Sequence, residues 1–106
     1  MKTSPTRRSF AYLVEQGYRP AIVERWNPFA RRRQDLYGIL DIIAVRKGET
    51  LGVQTTTAAN ISARIRKVQD SSALADLRAA NWRIHVHGWS KRKKSGRWEV
   101  RVEDIS

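Results

Sequence analysis

A chain of 106 residues suits one domain, large enough to bury about 60 to 70% of its unfolded surface and to fold without staples. Its 21 lysines and arginines against 10 acids leave a formal charge of +11, which points to a polyanionic partner, nucleic acid first and an anionic membrane surface second. The absence of cysteine excludes disulfides and thiolate metal sites, and no apolar run approaches the about 20 residues of a membrane-spanning helix.

The opening segment, MKTSPTRRSF, lacks the apolar core of a secretory leader, so the expected compartment is the cytoplasm of a prokaryote or a phage-infected host. Ser4 and Pro5 supply the N-cap and first residue of a helix over about 5–16, with Phe10, Leu13 and Val14 at helical spacing and Gly17 as the stop. PAIVERW, 20–26, reads as a short strand, and NPFARRRQ after it as a basic loop, because Asn-Pro breaks the pattern. The next two strands form a hairpin around Lys47-Gly48, where glycine accepts positive φ at no steric cost. Arg46 then faces Glu49, and the ladder runs back to place Ile42 opposite Val53 and Asp41 opposite Gln54. By period-two alternation Thr56 joins Gln54, so one face gathers Asp41, Gln54 and Thr56.

Asn60 or Thr57 is the expected cap of a second helix, with Ile61, Ile65 and Val68 as its apolar stripe and Arg64, Arg66 and Lys67 on the other face. A short helix over about 72–80 packs Leu74 and Leu77, and Asn81 closes it. WRIHVHGW and GRWEVRV form a last hairpin around SKRKKSG. The order α-β-β-β-α-α-β-β predicts an α/β fold, a single domain over 1–106 with a central mixed sheet flanked by helices.

A carboxylate among isoleucines and leucines is costly to bury without a use, so Asp41 reads as a Mg²⁺ ligand, the bland alternative being pairing with an arginine. Glu24 and Asp35 are the other acids near enough in sequence to join it, or else they neutralise the arginine loop. Three basic segments could contact phosphates: Arg31, Arg32 and Arg33; Arg64, Arg66 and Lys67; and Lys91, Arg92, Lys93 and Lys94 with Arg97. Trp89 and Trp98 flank the last loop and either stack on bases or pack across the hairpin. His85 and His87 share a strand face, but two histidines without a third ligand make a poor Zn²⁺ site.

With Asp41 in LDIIAV and Gln54-Thr55-Thr56 in LGVQTTT, the chain resembles the PD-(D/E)XK nuclease superfamily, and within it the small archaeal and phage Holliday-junction resolvases. The resemblance covers most of the chain and implies a restriction-endonuclease-like fold in which two strand acids hold Mg²⁺ or Mn²⁺ and a lysine two residues on activates water. Asp41 falls at the first acid, Gln54 at the second and Thr56 at the lysine, so two of the three depart from the pattern. A glutamine can offer a carbonyl oxygen; a threonine cannot supply the charge, which leaves Lys67 or Arg64 to reach back from the following helix. The resolvases' helix-one glutamate falls at Thr6 or Arg8 when aligned on Gly17-Tyr18, and Glu24 or Asp35 would replace it.

The expected function is a metal-dependent DNA endonuclease acting on double-stranded or branched DNA such as a Holliday junction, in DNA recombination, as a homodimer by resemblance. The alternative is a nuclease fold that binds DNA without cutting it. A third reading, a basic RNA-binding or ribosome-associated domain, makes Asp41 dispensable.

Overall fold

The computed structural model describes residues 3–106; Met1 and Lys2, at the start of the segment read for a leader, lie outside the described residues. Ser4 Oγ accepts from the Arg7 amide at 3.2 Å and Pro5 occupies the first turn, which starts α1 (Pro5–Glu15), and Gly17 ends it at φ +87°. The inward stripe of α1 is Thr6, Ser9 and Leu13, whereas Val14, expected on the apolar face, is 52% exposed. Leu13 and Phe10 pack on the sheet as expected, and the small hydroxyls of Thr6 and Ser9 complete the inward face.

The segment expected as one strand over 20–26 is two, β1 (Arg19–Ile22) and β2 (Arg25–Asn27), and the expected basic loop contains β3 (Arg32–Gln34). The chain turns away at Val23 and Glu24, and β2 and β3 pair only with each other, as a separate two-stranded sheet. β4 (Ile42–Arg46) and β5 (Glu49–Thr57) form the expected hairpin: Gly48 has φ +78°, and Arg46 to Ile42 pair with Glu49 to Val53 in the expected register. Asp41 is not inside the strand but at the bend just before it, with its amide donating to Val53 O at 2.9 Å.

A 3-10 turn (Ala58–Asn60) leads into α2 (Ile61–Gln69) and α3 (Ala73–Ala79), followed by β6 (Arg83–Lys91) and β7 (Trp98–Asp104). Asn60 holds the N-cap position of α2, yet neither its side chain nor that of Thr57 makes a capping hydrogen bond. Asn81 follows α3 at φ +65°, as expected of a residue that closes a helix. The order is thus α-β-β-β-β-β-α-α-β-β, and the fold is α/β with a mixed five-stranded sheet ordered β1-β4-β5-β6-β7. Only the β5–β6 pair is parallel, and α2 and α3 make the crossover that joins them.

Period-two alternation divides the core between two faces. On one, Leu13 of α1 packs on Ile42, Ala44, Leu51 and Val53. On the other, Ile61, Val68, Leu74 and Leu77 of α2 and α3 pack on Leu40, Ile84 and Val86. Burying these apolar side chains contributes about 1.5 to 3 kcal/mol each, which holds the C-terminal half of β5 between helices on both faces. Among the described residues no helix is long and apolar enough to cross a membrane.

Candidate active site

At the end of β5 the ladder with β4 is exhausted, and the polar run Gln54-Thr55-Thr56-Thr57 continues alongside β6 alone. The Thr55 amide then has no strand partner on the β4 side, and the Asp41 carboxylate takes that place. Asp41 Oδ2 accepts from Thr55 N at 2.8 Å, from Thr55 Oγ1 at 3.0 Å and from Gln54 Nε2 at 2.5 Å. Thr55 Oγ1 also bonds Thr6 Oγ1 of α1 at 2.8 Å. Thr55 and Thr6 thus orient the carboxylate from the α1 face, while Gln54 and Thr56 are buried with it and line the same cleft.

Glu24, at the break between β1 and β2, and Asp35, just after β3, come to Asp41 from the chain's other side. One carboxylate oxygen from each of the three lies within 4.8 Å of the others, the only such group of acid, histidine or cysteine donors among the described residues. Oxygen ligands of an octahedral Mg²⁺ at about 2.1 Å stand about 3 to 4 Å apart, so acids already gathered within 4.8 Å need to close only slightly to hold a small divalent cation. Burial, and then the neighbouring Asp35 carboxyl, push Asp41 up to about 7, against the hydrogen bonds from Thr55 that favour its charged form. A carboxyl only 4% exposed and facing a second one is a group whose ionisation a cation would stabilise.

Lys67 reaches the cluster from α2: its Nζ lies 3.2 Å from Asp35 Oδ2 and 3.4 Å from Gln54 Oε1. Lys67, not Thr56, therefore carries the positive charge at this end of the site. Gln54, expected to offer its carbonyl to a metal, turns Nε2 to Asp41 and, at 3.4 Å, Asp35, and Oε1 to Lys67.

The acids open onto a cleft of about 340 Å³ bounded by Thr6, Thr57, Asn60 and Arg64. It shares Asp35 and Arg64 with a larger concavity of about 560 Å³ lined by Arg32, Arg33, Gly38 and Lys67. Arg33 is held against Glu24 at 2.8 Å, so it partly neutralises the cluster, as an arginine beside an acid does. Arg31 and Arg66 are exposed outside the clefts. Lys91, Arg92, Lys93, Lys94 and Arg97 form the exposed β6–β7 turn, with Arg92 paired to Glu99 at 2.8 Å. Since β5 and β6 are parallel and Thr57 pairs with Trp89, this turn leaves the sheet at the same end as the acids. All three basic segments therefore surround one end of the sheet.

Two aromatic and histidine readings resolve differently. Trp89 is buried with its Nε1 donating to Ser9 Oγ at 2.8 Å, so it is not available to stack on a base. Trp98 is 44% exposed, and the Arg8 guanidinium lies 3.5 Å above its ring, which gives Arg8 a structural partner in place of a role in the cleft. His85 and His87 lie on the α1 face, away from Glu24, Asp35 and Asp41, with ring centroids 6.4 Å apart; Asp104 Oδ2 stands 3.6 Å from His85 Nε2, but among the described residues the pair belongs to no group of three possible ligands. Thr6, which falls at the expected helix-one acid position, and Thr55, within the Gln54-Thr55-Thr56 run, were not expected to hold Asp41, since short hydroxyls at a helix start and strand end read as ordinary linker chemistry. Comparison with known protein families, with curated proteins and with solved structures finds no match to this chain.

Proposed function

We propose that the chain is a metal-dependent endodeoxyribonuclease with a PD-(D/E)XK-type, restriction-endonuclease-like site, cleaving phosphodiesters in double-stranded or branched DNA. The observation that carries this reading is the convergence of Glu24, Asp35 and Asp41 within 4.8 Å, with Lys67 beside them, inside a cleft bordered by arginines. Arg33 and Lys67 offset two of the three carboxylates, and a cation among them would supply the further positive charge that draws a phosphate in. With Mg²⁺ or Mn²⁺ held there, the same spot becomes the most favourable place for a phosphate.

In this reading Glu24, Asp35 and Asp41 are the metal-holding side chains, and Thr55 and Thr6 fix Asp41 in place. When bound, the cation supplies charge neutralisation of the phosphodiester and makes water more acidic. Lys67, in contact with both Asp35 and Gln54, orients the attacking water or balances the charge that develops on the phosphate. Gln54 ties Asp41 to Lys67, and Thr56 shapes the wall. Arg32, Arg33 and Arg64 hold the backbone of the strand being cut, and the β6–β7 turn grips flanking phosphates. Such contacts position DNA without reading its sequence, which suits recognition by shape.

A second reading is favoured by Gln54 and Thr56, which stand where the superfamily's pattern has an acid and a lysine: a nuclease fold that binds DNA and no longer cuts. Incubation of labelled four-way junction, flap and linear duplex with Mg²⁺ or Mn²⁺, beside Asp41→Asn, separates the two. Metal-dependent cutting lost in the variant supports the enzyme, and salt-sensitive binding by both proteins without cutting supports the binding protein. Gel filtration on DNA tests the expected homodimer.

A further inference from the structure

We propose that the β2–β3 hairpin is a DNA-distorting arm that inserts Phe29 at its tip into an unstacked or branched base step, while the arginines of the arm hold the neighbouring phosphates. This inference rests on the DNA reading above and adds how a distorted site is selected. Phe29 is 97% exposed and Trp26 61% exposed, in a hairpin that pairs only with itself and contributes nothing to either core cluster. A free two-stranded ribbon gains little stability from displaying large apolar groups to water.

The tip is built to hold its conformation. Asn27 Oδ1 accepts from the amides of Phe29 at 2.9 Å and Ala30 at 3.1 Å, Pro28 fixes the backbone between them, and Arg31 closes the turn at φ +51°. An inserted side chain must be presented rigidly, since ordering a loose loop would consume the binding energy. Arg25, Arg31, Arg32 and Arg33 are all exposed, and no acid lies between 25 and 34. That combination of aromatic tip and cationic flanks matches a base stack bordered by phosphates.

The base of the arm ties it to the site. Glu24 immediately precedes β2 and Asp35 immediately follows β3, and the Arg25–Gln34 pair closes the ribbon between them. The hairpin is therefore an insertion between two of the three clustered acids. At about 3.3 Å per residue its tip stands about 10 to 14 Å from them. That span equals about three to four nucleotide steps, so the distorted step and the cleaved phosphate should be offset by about that number.

The test uses the full chain in EDTA with a four-way junction and a flap carrying 2-aminopurine at single positions around the branch, and with matched linear duplex. Wild-type protein is expected to raise the fluorescence several-fold at one position, about three to four nucleotides from the main cut made in Mg²⁺. Phe29→Ala should abolish the rise and weaken branched-DNA binding about 5- to 100-fold, the range of a lost base-stacking contact, with duplex affinity unchanged. Phe29→Trp should retain both. Because Phe29 packs against nothing, the variants should keep the wild-type circular dichroism spectrum. DNA binding with no fluorescence change, or a change undiminished in Phe29→Ala, overturns the arm and leaves the DNA reading standing. Binding to anionic phosphatidylserine vesicles with none to any DNA overturns both.

Discussion

Replacing Asp41 by asparagine should stabilise the metal-free protein at alkaline pH, which is the opposite of the usual effect of changing a buried polar residue. The carboxyl is 4% exposed, and burial together with Asp35 raises its pKa from 3.8 to about 7. The fold thus favours the protonated form: that contribution is complete below pH 3.8 and is lost as pH rises through about 7. At about 1.4 kcal/mol for each pH unit, the loss is on the order of 4 kcal/mol. Asparagine keeps the acceptor used by Thr55 N at 2.8 Å, Thr55 Oγ1 at 3.0 Å and Gln54, and offers Asp35 a donor where the acid offered a proton. Urea unfolding followed by tryptophan fluorescence in EDTA should find the variant within about 1 kcal/mol of wild type at pH 4 and about 2 to 4 kcal/mol more stable at pH 8.5. His87, pushed down to about 4 by burial and by His85, loses its stabilising effect as pH falls from 6.5 through that value, but it does so in both proteins and cancels in the difference. Mg²⁺ at about a hundredfold over its Kd should restore about 2.7 kcal/mol to the wild type at pH 8.5 and nothing to the variant. A variant destabilised equally at every pH would refute the reasoning, because Asp41 would then act as a structural acceptor with no electrostatic cost.

Ser9→Ala should cost about 1 to 3 kcal/mol in the same unfolding assay, since Ser9 Oγ is the partner of both His87 Nδ1 at 2.9 Å and Trp89 Nε1 at 2.8 Å, all of them buried. Gly88→Ala should cost about 1 to 3 kcal/mol in melting or urea midpoints, because the new Cβ would stand 2.8 Å from Ile61 Cδ1 and 3.2 Å from the Ala58 backbone, where the turn before α2 crosses β6. Lys67→Met should lower single-turnover DNA cleavage about 10²- to 10⁴-fold and change DNA affinity less than tenfold, as expected of a group acting on the reacting atoms more than on binding.

The β4–β5 register was legible because the Lys47-Gly48 turn sets it and an apolar face pins it, and from it the meeting of Asp41 with Gln54 follows directly. The nearness of Glu24 and Asp35, and the reach of Lys67, were also legible from their places around that hairpin. The β2–β3 arm was not, since it lies off the core and its residues carry no alternation of burial for a pattern to reveal; Asn27-Pro28 reads only as a break. The Thr6–Thr55 bond that steadies Asp41 was not legible because it depends on α1 lying across the end of β5, a contact between residues 49 positions apart. A still longer separation, 78 and 80 positions, hid Ser9 as the partner of His87 and Trp89, and nothing local told that β6 would lie parallel to β5.

The central claim is that Glu24, Asp35 and Asp41 hold a cation that cuts DNA, and single-turnover cleavage of a labelled four-way junction against rising Mg²⁺ tests it most directly. Product should form with a saturable dependence on Mg²⁺ and vanish in EDTA or when Glu24 or Asp41 is amidated. DNA held fully bound with no product at any Mg²⁺ or Mn²⁺ concentration would contradict the claim and leave a protein that only binds.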